Sequence, residues 1–197
     1  MFIRLNSPNV ILGAVPALVV FVVVVLLFNM YPIHINSGIG FGQDPAYQYL
    51  FAGIDILQGH APLHTDHPGT PLQTLIAGLV ASSWFVLWLI GVMPLGLFDS
   101  VLRSPEAFLG ITSAVLLMIT TAAIFYFGHR VYQVTQQYST ALACQFAPLL
   151  YVAVIPNVVF PTPEALLIAL SIALMGVLAP VVLRSSSVRP KVSQSTA

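Results

Sequence analysis

Hydrophobic and polar positions along this chain come in long blocks rather than in residue-by-residue alternation. Apolar runs at about 10–31, 71–93, 106–127, 138–155 and 164–183 are separated by short polar stretches. At a helical rise of ~1.5 Å, 20 residues cover roughly 30 Å, the thickness of a bilayer's hydrocarbon core. The pattern predicts an all-α fold, a polytopic membrane helix bundle with four or five long apolar helices. The first run is longer than the ~7–15 apolar residues of a signal peptide. No small-x-small cleavage site follows it, so it reads as an uncleaved span, kinked near Pro16.

One segment follows a different rhythm. Asp44 can cap a helix, Pro45 suits its first position and Gly59 its stop, which predicts a helix over 45–57. Tyr47, Leu50, Phe51, Ile54 and Leu57 fall on one face, opposite Gln48, Asp55 and Gln58. Too short to span, this helix reads as amphipathic and interfacial. His60–Thr70 follows as a loop rich in proline and histidine. The cap–proline start recurs at Thr70, Ser104 and Thr162. Pro94–Arg103 reads as a loop, Gly128–Gln137 as a polar hinge, and 184–197 as a disordered polar tail.

Composition sharpens the picture. The chain is 58% hydrophobic and 6% charged, against roughly 25% charged in a soluble domain. No basic tract points to nucleic acid. The single cysteine, Cys144, lies in an apolar run and has no intrachain partner. It reads as a small core residue.

Charge also bears on topology. If all five runs cross, Arg4 and Arg103 lie on one side, and Arg130, Arg184, Arg189 and Lys191 on the other. If 71–93 instead lies as an interfacial or re-entrant helix, five cations share the N-terminal side and only Arg103 lies opposite. All six acids then join Arg103. The positive-inside rule favours this four-crossing arrangement, with a cytoplasmic N-terminus. Trp84 and Trp88, in the middle of 71–93 rather than at its ends, fit it too.

Candidate chemistry concentrates between Gly42 and Thr70, which holds Asp44, Asp55, Asp66, His60, His64 and His67. Asp44 has two compatible roles. It is a good N-cap, worth ~1 kcal/mol, and capping amides keep a carboxylate ionised, as a base requires. His60, His64, Asp66 and His67 could ligate a metal, but Pro62 and Pro68 oppose the helical geometry that would align them. Solvated loop histidines are the plainer account. Glu106 and Glu164 each sit in a first helical turn, where the helix dipole explains them; carboxylates at a membrane boundary are also functional candidates.

The order of these elements carries a resemblance. An apolar span precedes an acid opening the helix Asp44-Pro-Ala-Tyr-Gln-Tyr-Leu; Gly59–Pro62 and Asp66-His67-Pro68-Gly69 then lead into an apolar helix. Arg103-Ser104-Pro105 opens the next span, and Val159–Leu167 carries Glu164. This resembles the start of the polytopic GT-C glycosyltransferases, especially the protein O-mannosyltransferase and aminoarabinose-transferase branch. The chain departs from that pattern at Gly69, where a second proline is frequent, and at Pro45, where a second acid is. It also has four or five spans where these enzymes have about a dozen, and so corresponds to their N-terminal module.

The resemblance implies a transferase in a bacterial inner (plasma) membrane, using a polyprenyl-phosphate-linked sugar as donor. Asp44 would be the base that deprotonates an acceptor hydroxyl at the extracytoplasmic face. Arg103 would face the donor phosphate, and His67, Asp66 and Glu164 would line the pocket, with a divalent metal in some relatives. The chain would be either a truncated copy of such an enzyme or a small protein whose missing spans come from a membrane partner. The alternative is a non-catalytic membrane subunit that binds a lipid-linked sugar or partner helices. A solute carrier ranks last, because its ionisable residues belong within spans and here the acids cluster at helix starts.

Overall fold

The computed structural model describes residues 8–34, 46–62, 70–150 and 162–187. Among them are seven α-helices and no strand: α1 (Pro8–His34), α2 (Ala46–Leu57), α3 (Thr70–Leu89), α4 (Leu97–Arg103), α5 (Pro105–Thr135), α6 (Tyr138–Phe146) and α7 (Pro163–Ser187). A 3₁₀ turn, Ala147–Leu150, follows α6. By length and composition, four of the helices (α1, α3, α5 and α7) can cross a membrane. Leu167, Leu170, Leu174, Leu178 and Val181 of α7 are all exposed. Such a continuous apolar surface is unfavourable in water and normal in lipid. The protein is an all-α polytopic bundle embedded in a bilayer.

Local sequence sets most helix ends. Pro105 and Pro163 occupy the first positions of α5 and α7, where the missing N–H costs no bond. α2 stops where Gly59 turns left-handed (φ 76°). His60 N–H then bonds the Asp55 carbonyl and Gly59 N–H the Ile56 carbonyl, which closes the last turn. α5 ends on Gln136, a left-handed non-glycine residue (φ 54°) whose N–H reaches the Tyr132 carbonyl. Across that turn the Tyr132 and Tyr138 rings stack at 4.6 Å.

The packing fixes each helix's direction. α1 runs against α5: Leu12 packs with Val131, whereas Val15, Val19 and Val23 pack with Leu117, Ala123 and Ile124. α7 runs with α5, since Ala165 clusters with Phe108 and Leu116, and Ala179 with Val131. α6 turns back along α5, placing Ala141 beside Val131 and Gln145 beside Ile124 and Gly128. The chain therefore leaves α5 at one end of the bundle and enters α7 at the other. α6 begins that return.

Because α1 and α5 are antiparallel, the end of α1 and the start of α5 lie at the same end. The described acids Asp55, Asp99, Glu106 and Glu164 all belong to helices or helix starts gathered there, so it is called the acidic end below. Arg130 and Arg184, late in α5 and α7, mark the opposite, basic end.

Small residues make the helix contacts close. In lipid there is little hydrophobic drive between helices, so close approach and dispersion hold them together. A Cβ on Gly53 of α2 would lie 3.0 Å from Ile76 Cγ2, 3.1 Å from Ala77 N and 3.3 Å from Gln73 O of α3. One on Gly176 of α7 would meet the Tyr126 ring of α5 at 2.7 Å.

Several expectations need correction. Gly128–Gln137 is not a hinge: α5 continues to Thr135 as one 31-residue helix. At ~1.5 Å per residue it is roughly 46 Å long, more than the hydrocarbon core, so polar side chains in its last turns need no break. The expected helix over 138–155 ends at Phe146 and gives way to the 3₁₀ turn containing Pro148. Proline lacks the N–H and clashes with the carbonyl four residues back. The stretch 94–103 contains α4, whose Asp99 and Arg103 complement its dipole. The tail stays helical to Ser187.

The face of α2 is the expected one at Leu50 and Ile54, which are buried, and at Gln48, which is exposed, but it differs at its margins. Ala46, Tyr49, Leu50, Ala52, Gly53 and Ile54 are buried, while Phe51 and Leu57 are exposed.

Candidate functional site

The candidate site lies at the acidic end and is built from helix starts. Gly53 seats α2 against α3, and that contact aims the first turn of α2 at the first turn of α5. There the Tyr47 hydroxyl donates to Glu106 Oε1 at 3.2 Å, in a half-buried position. This is longer than the 2.5–2.7 Å of a strong hydroxyl–carboxylate bond. Its net contribution is accordingly modest, about 0.5–1.5 kcal/mol. Glu106 sits in the first turn of α5, directly after Pro105. Its charge therefore also meets the unpaired amides and positive dipole end of that helix.

Three of the expected site residues, Asp44, Asp66 and His67, lie outside the described residues, as does His64. Asp44 is two residues ahead of Ala46, the first residue of α2. Arg103 is the last residue of α4 and exposed. Glu164, exposed, stands in the first turn of α7. Helix direction gathers Arg103, Glu106 and Glu164 at one end, but only Glu106 is joined to another described side chain. The side chains of Arg103 and Glu164 make no hydrogen bond or ion pair with a described residue. Among the described residues no three His, Cys, Asp or Glu side chains converge as metal ligands.

Sequence reading missed Tyr47 as a polar partner. It placed Tyr47 on the apolar face of α2 and accounted for Glu106 by the helix dipole. The available signal was the hydroxyl at the margin of an amphipathic face, one turn after the acid that opens the helix. Its partner lies 59 residues further along the chain, a separation that helical periodicity does not register.

Two other polar clusters lie away from this site. Gln145, fully buried, donates through Nε2 to the carbonyls of Leu12 at 3.1 Å and Ile124 at 3.3 Å. It thereby ties α6 to α1 and α5, with Gly128 leaving the space it occupies. At the basic end, Arg130 Nη1 donates to Gln133 Oε1 at 2.9 Å, and Gln133 Nε2 lies 2.9 Å from His129 Nε2. Because guanidinium only donates, Gln133 must present its NH₂ to the histidine. A neutral His129 then accepts at Nε2 and carries its proton on Nδ1. The first cluster joins three helices, the second lies within α5 alone, and neither includes an acid.

No family model, no curated protein and no solved structure matches the chain.

Proposed function

We propose that the chain is a GT-C-type glycosyltransferase module that works with a polyprenyl-phosphate-linked sugar at the extracytoplasmic face, its N-terminus cytoplasmic. The observation that supports this is the Tyr47–Glu106 hydrogen bond. It brings together two separate stretches that carry the resemblance: the helix opened by Asp44, and the Arg103-Ser104-Pro105 element. A base and a phosphate-binding residue for one reaction must be neighbours, and this contact makes their segments neighbours. Glu164 belongs to the same end of the bundle.

In this reading Asp44 takes the proton from the acceptor hydroxyl as it attacks the anomeric carbon of the donor. A hydroxyl is a poor nucleophile, and a positioned carboxylate contributes typically ~10²–10⁴-fold. Arg103 holds the phosphate leaving group through a bidentate guanidinium. Glu106 holds the first turn of α2 through Tyr47. The cytoplasmic N-terminus follows from the cation-rich basic end under the positive-inside rule.

The test is sugar transfer in membranes of the cell that makes the protein, at equal amounts of wild type, Asp44→Asn and Asp55→Asn. Asparagine still caps a helix, so Asp44→Asn removes the base with little harm to α2. The expected result is a loss of ~10²–10⁴-fold for Asp44→Asn and no loss for Asp55→Asn. Unchanged transfer in Asp44→Asn would reduce Asp44 to a helix cap and overturn the catalytic reading.

A further inference from the structure

α3 is long and apolar enough to cross a bilayer, yet everything around it stays at the acidic end. Its Leu72, Ile76 and Val80 share one cluster with Tyr49, Leu50 and Ile54 of α2, Val101 of α4, Phe108 and Leu116 of α5, and Ala165 of α7. Met93 and Leu97, in the segment that follows α3, pack against the same cluster. No α3 residue belongs to the two deeper clusters built on Ile124 and Val131. The chain turns back directly after α3, where the Trp84 indole N–H donates to the Leu95 carbonyl at 3.1 Å. Since the end of α1 and the start of α5 lie at the same end, a single crossing by α3 is incompatible with the observed helix directions.

The outer part of this hairpin is apolar and uncovered. Phe85, Trp88, Leu89, Ile90 and Val92 are each between 48% and 67% exposed, and Leu102 of α4 is 64% exposed. As far as Met93 the backbone at the turn is nevertheless closed on itself. Gly91, left-handed at φ 76°, lets Val92 N–H reach the Leu87 carbonyl and Gly91 N–H the Trp88 carbonyl. Ile90 N–H bonds the Val86 carbonyl and Met93 N–H the Leu87 carbonyl. Water does not require a turn to satisfy its own amides, but hydrocarbon does.

We infer that the second half of α3 and the turn after it form a lipid-binding hairpin tip, with α4 returning the chain to the polar edge, where Asp99 and Arg103 are exposed. It inserts into one leaflet, at the acidic end, and returns without crossing. Its occupant is acyl chain: Phe85, Trp88, Leu89, Ile90 and Val92 carry no charge to recruit a soluble partner, and they are exposed as the apolar residues of the spanning helices are. The hairpin anchors the platform on which α2 rests, which holds the acidic end level with the membrane surface.

The experiment uses the full chain, with Cys144→Ala, carrying one of His60→Cys, Val92→Cys or Gln137→Cys in sealed membranes. His60 and Gln137 are exposed and report the acidic and basic ends respectively. Reaction of Val92→Cys with an impermeant maleimide from the His60 side, or only with a permeant one, supports the hairpin. Reaction from the Gln137 side means that α3 crosses, and overturns it. The wild type supplies an independent readout, because both of its tryptophans, Trp84 and Trp88, lie in α3. In vesicles of brominated phosphatidylcholine their emission should fall sharply relative to unbrominated vesicles. Undiminished emission would place the rings out of lipid and overturn the insertion.

Discussion

α3 and α6 make an instructive pair. α3 is a 20-residue apolar helix, while α6 has nine residues and runs into a proline-containing 3₁₀ turn. Length and hydropathy would have α3 cross and α6 not. The packing places them differently. α6 lies along α5 and faces the middle of the bundle; α3 keeps to one end, beside α2 and α4. What separates them is their neighbours. α6 is tied into the middle of the bundle by Gln145, which bonds the carbonyls of both α1 and α5. α3 is held by α2 through Gly53 and by the first turns of α5 and α7. A helix's own composition states that it can live in lipid. Its contacts state where.

The comparison breaks most visibly at Gly128. A Cβ there overlaps the Gln145 side chain, so Gly128→Leu must expel Gln145 from its two carbonyl partners. Overpacking and the lost hydrogen bonds together should cost on the order of 3 kcal/mol. Thermal unfolding in detergent micelles should show a marked drop in midpoint; an unchanged midpoint would mean that α6 is not seated against α5.

A smaller effect is expected at Gly53, because only α2 depends on it. Gly53→Leu presses on the backbone of α3 at Gln73 and Ala77, which cannot yield as a flexible side chain can. The expected cost is about 1–3 kcal/mol. Hydrogen exchange should accelerate across α2 while α5 and α7 keep their protection. Loss of protection throughout the bundle would show that α2 and the spanning helices unfold as one unit, against the division drawn above.

The mildest test concerns the Tyr47–Glu106 contact. Tyr47→Phe keeps the ring and removes the donor, at about 0.5–1.5 kcal/mol. Exchange should quicken in the first turn of α2 only. Phe51→Ala, on the exposed face of the same helix, provides the control and should leave that turn unchanged.

Much of this architecture was legible in the sequence. The long apolar runs, the proline starts at Pro105 and Pro163, and the stop at Gly59 all depend on residues within one or two turns of each other. The preference of charge for a non-crossing 71–93 also agrees with the helix directions. The errors have a common origin. On α2 hydrophobicity placed Leu50 and Ile54 correctly in the packed face, but not Phe51 and Leu57, which are exposed while Ala46, Tyr49, Ala52 and Gly53 are buried. His129, Arg130 and Gln133 read as a hinge because they are polar, but they bond one another along the face of an unbroken helix. α4 was missed because seven residues carry too little periodicity to detect. At the candidate site, Glu106 was visible as an acid in a first turn, whereas its bond to Tyr47 was not.

The sequence by itself determined that this is a helical membrane protein and where most of its helices start and stop. Lipid offers the backbone no hydrogen bonds, so helix formation and capping follow from local residues alone. Only the tertiary structure decided which segments carry the chain across and which faces meet. Between helices in lipid, hydrophobicity is nearly neutral, and the choice passes to close backbone approach at glycines and to a few buried hydrogen bonds. Gln145 reaches Leu12, 133 residues away, and no local pattern in the chain specifies that partner.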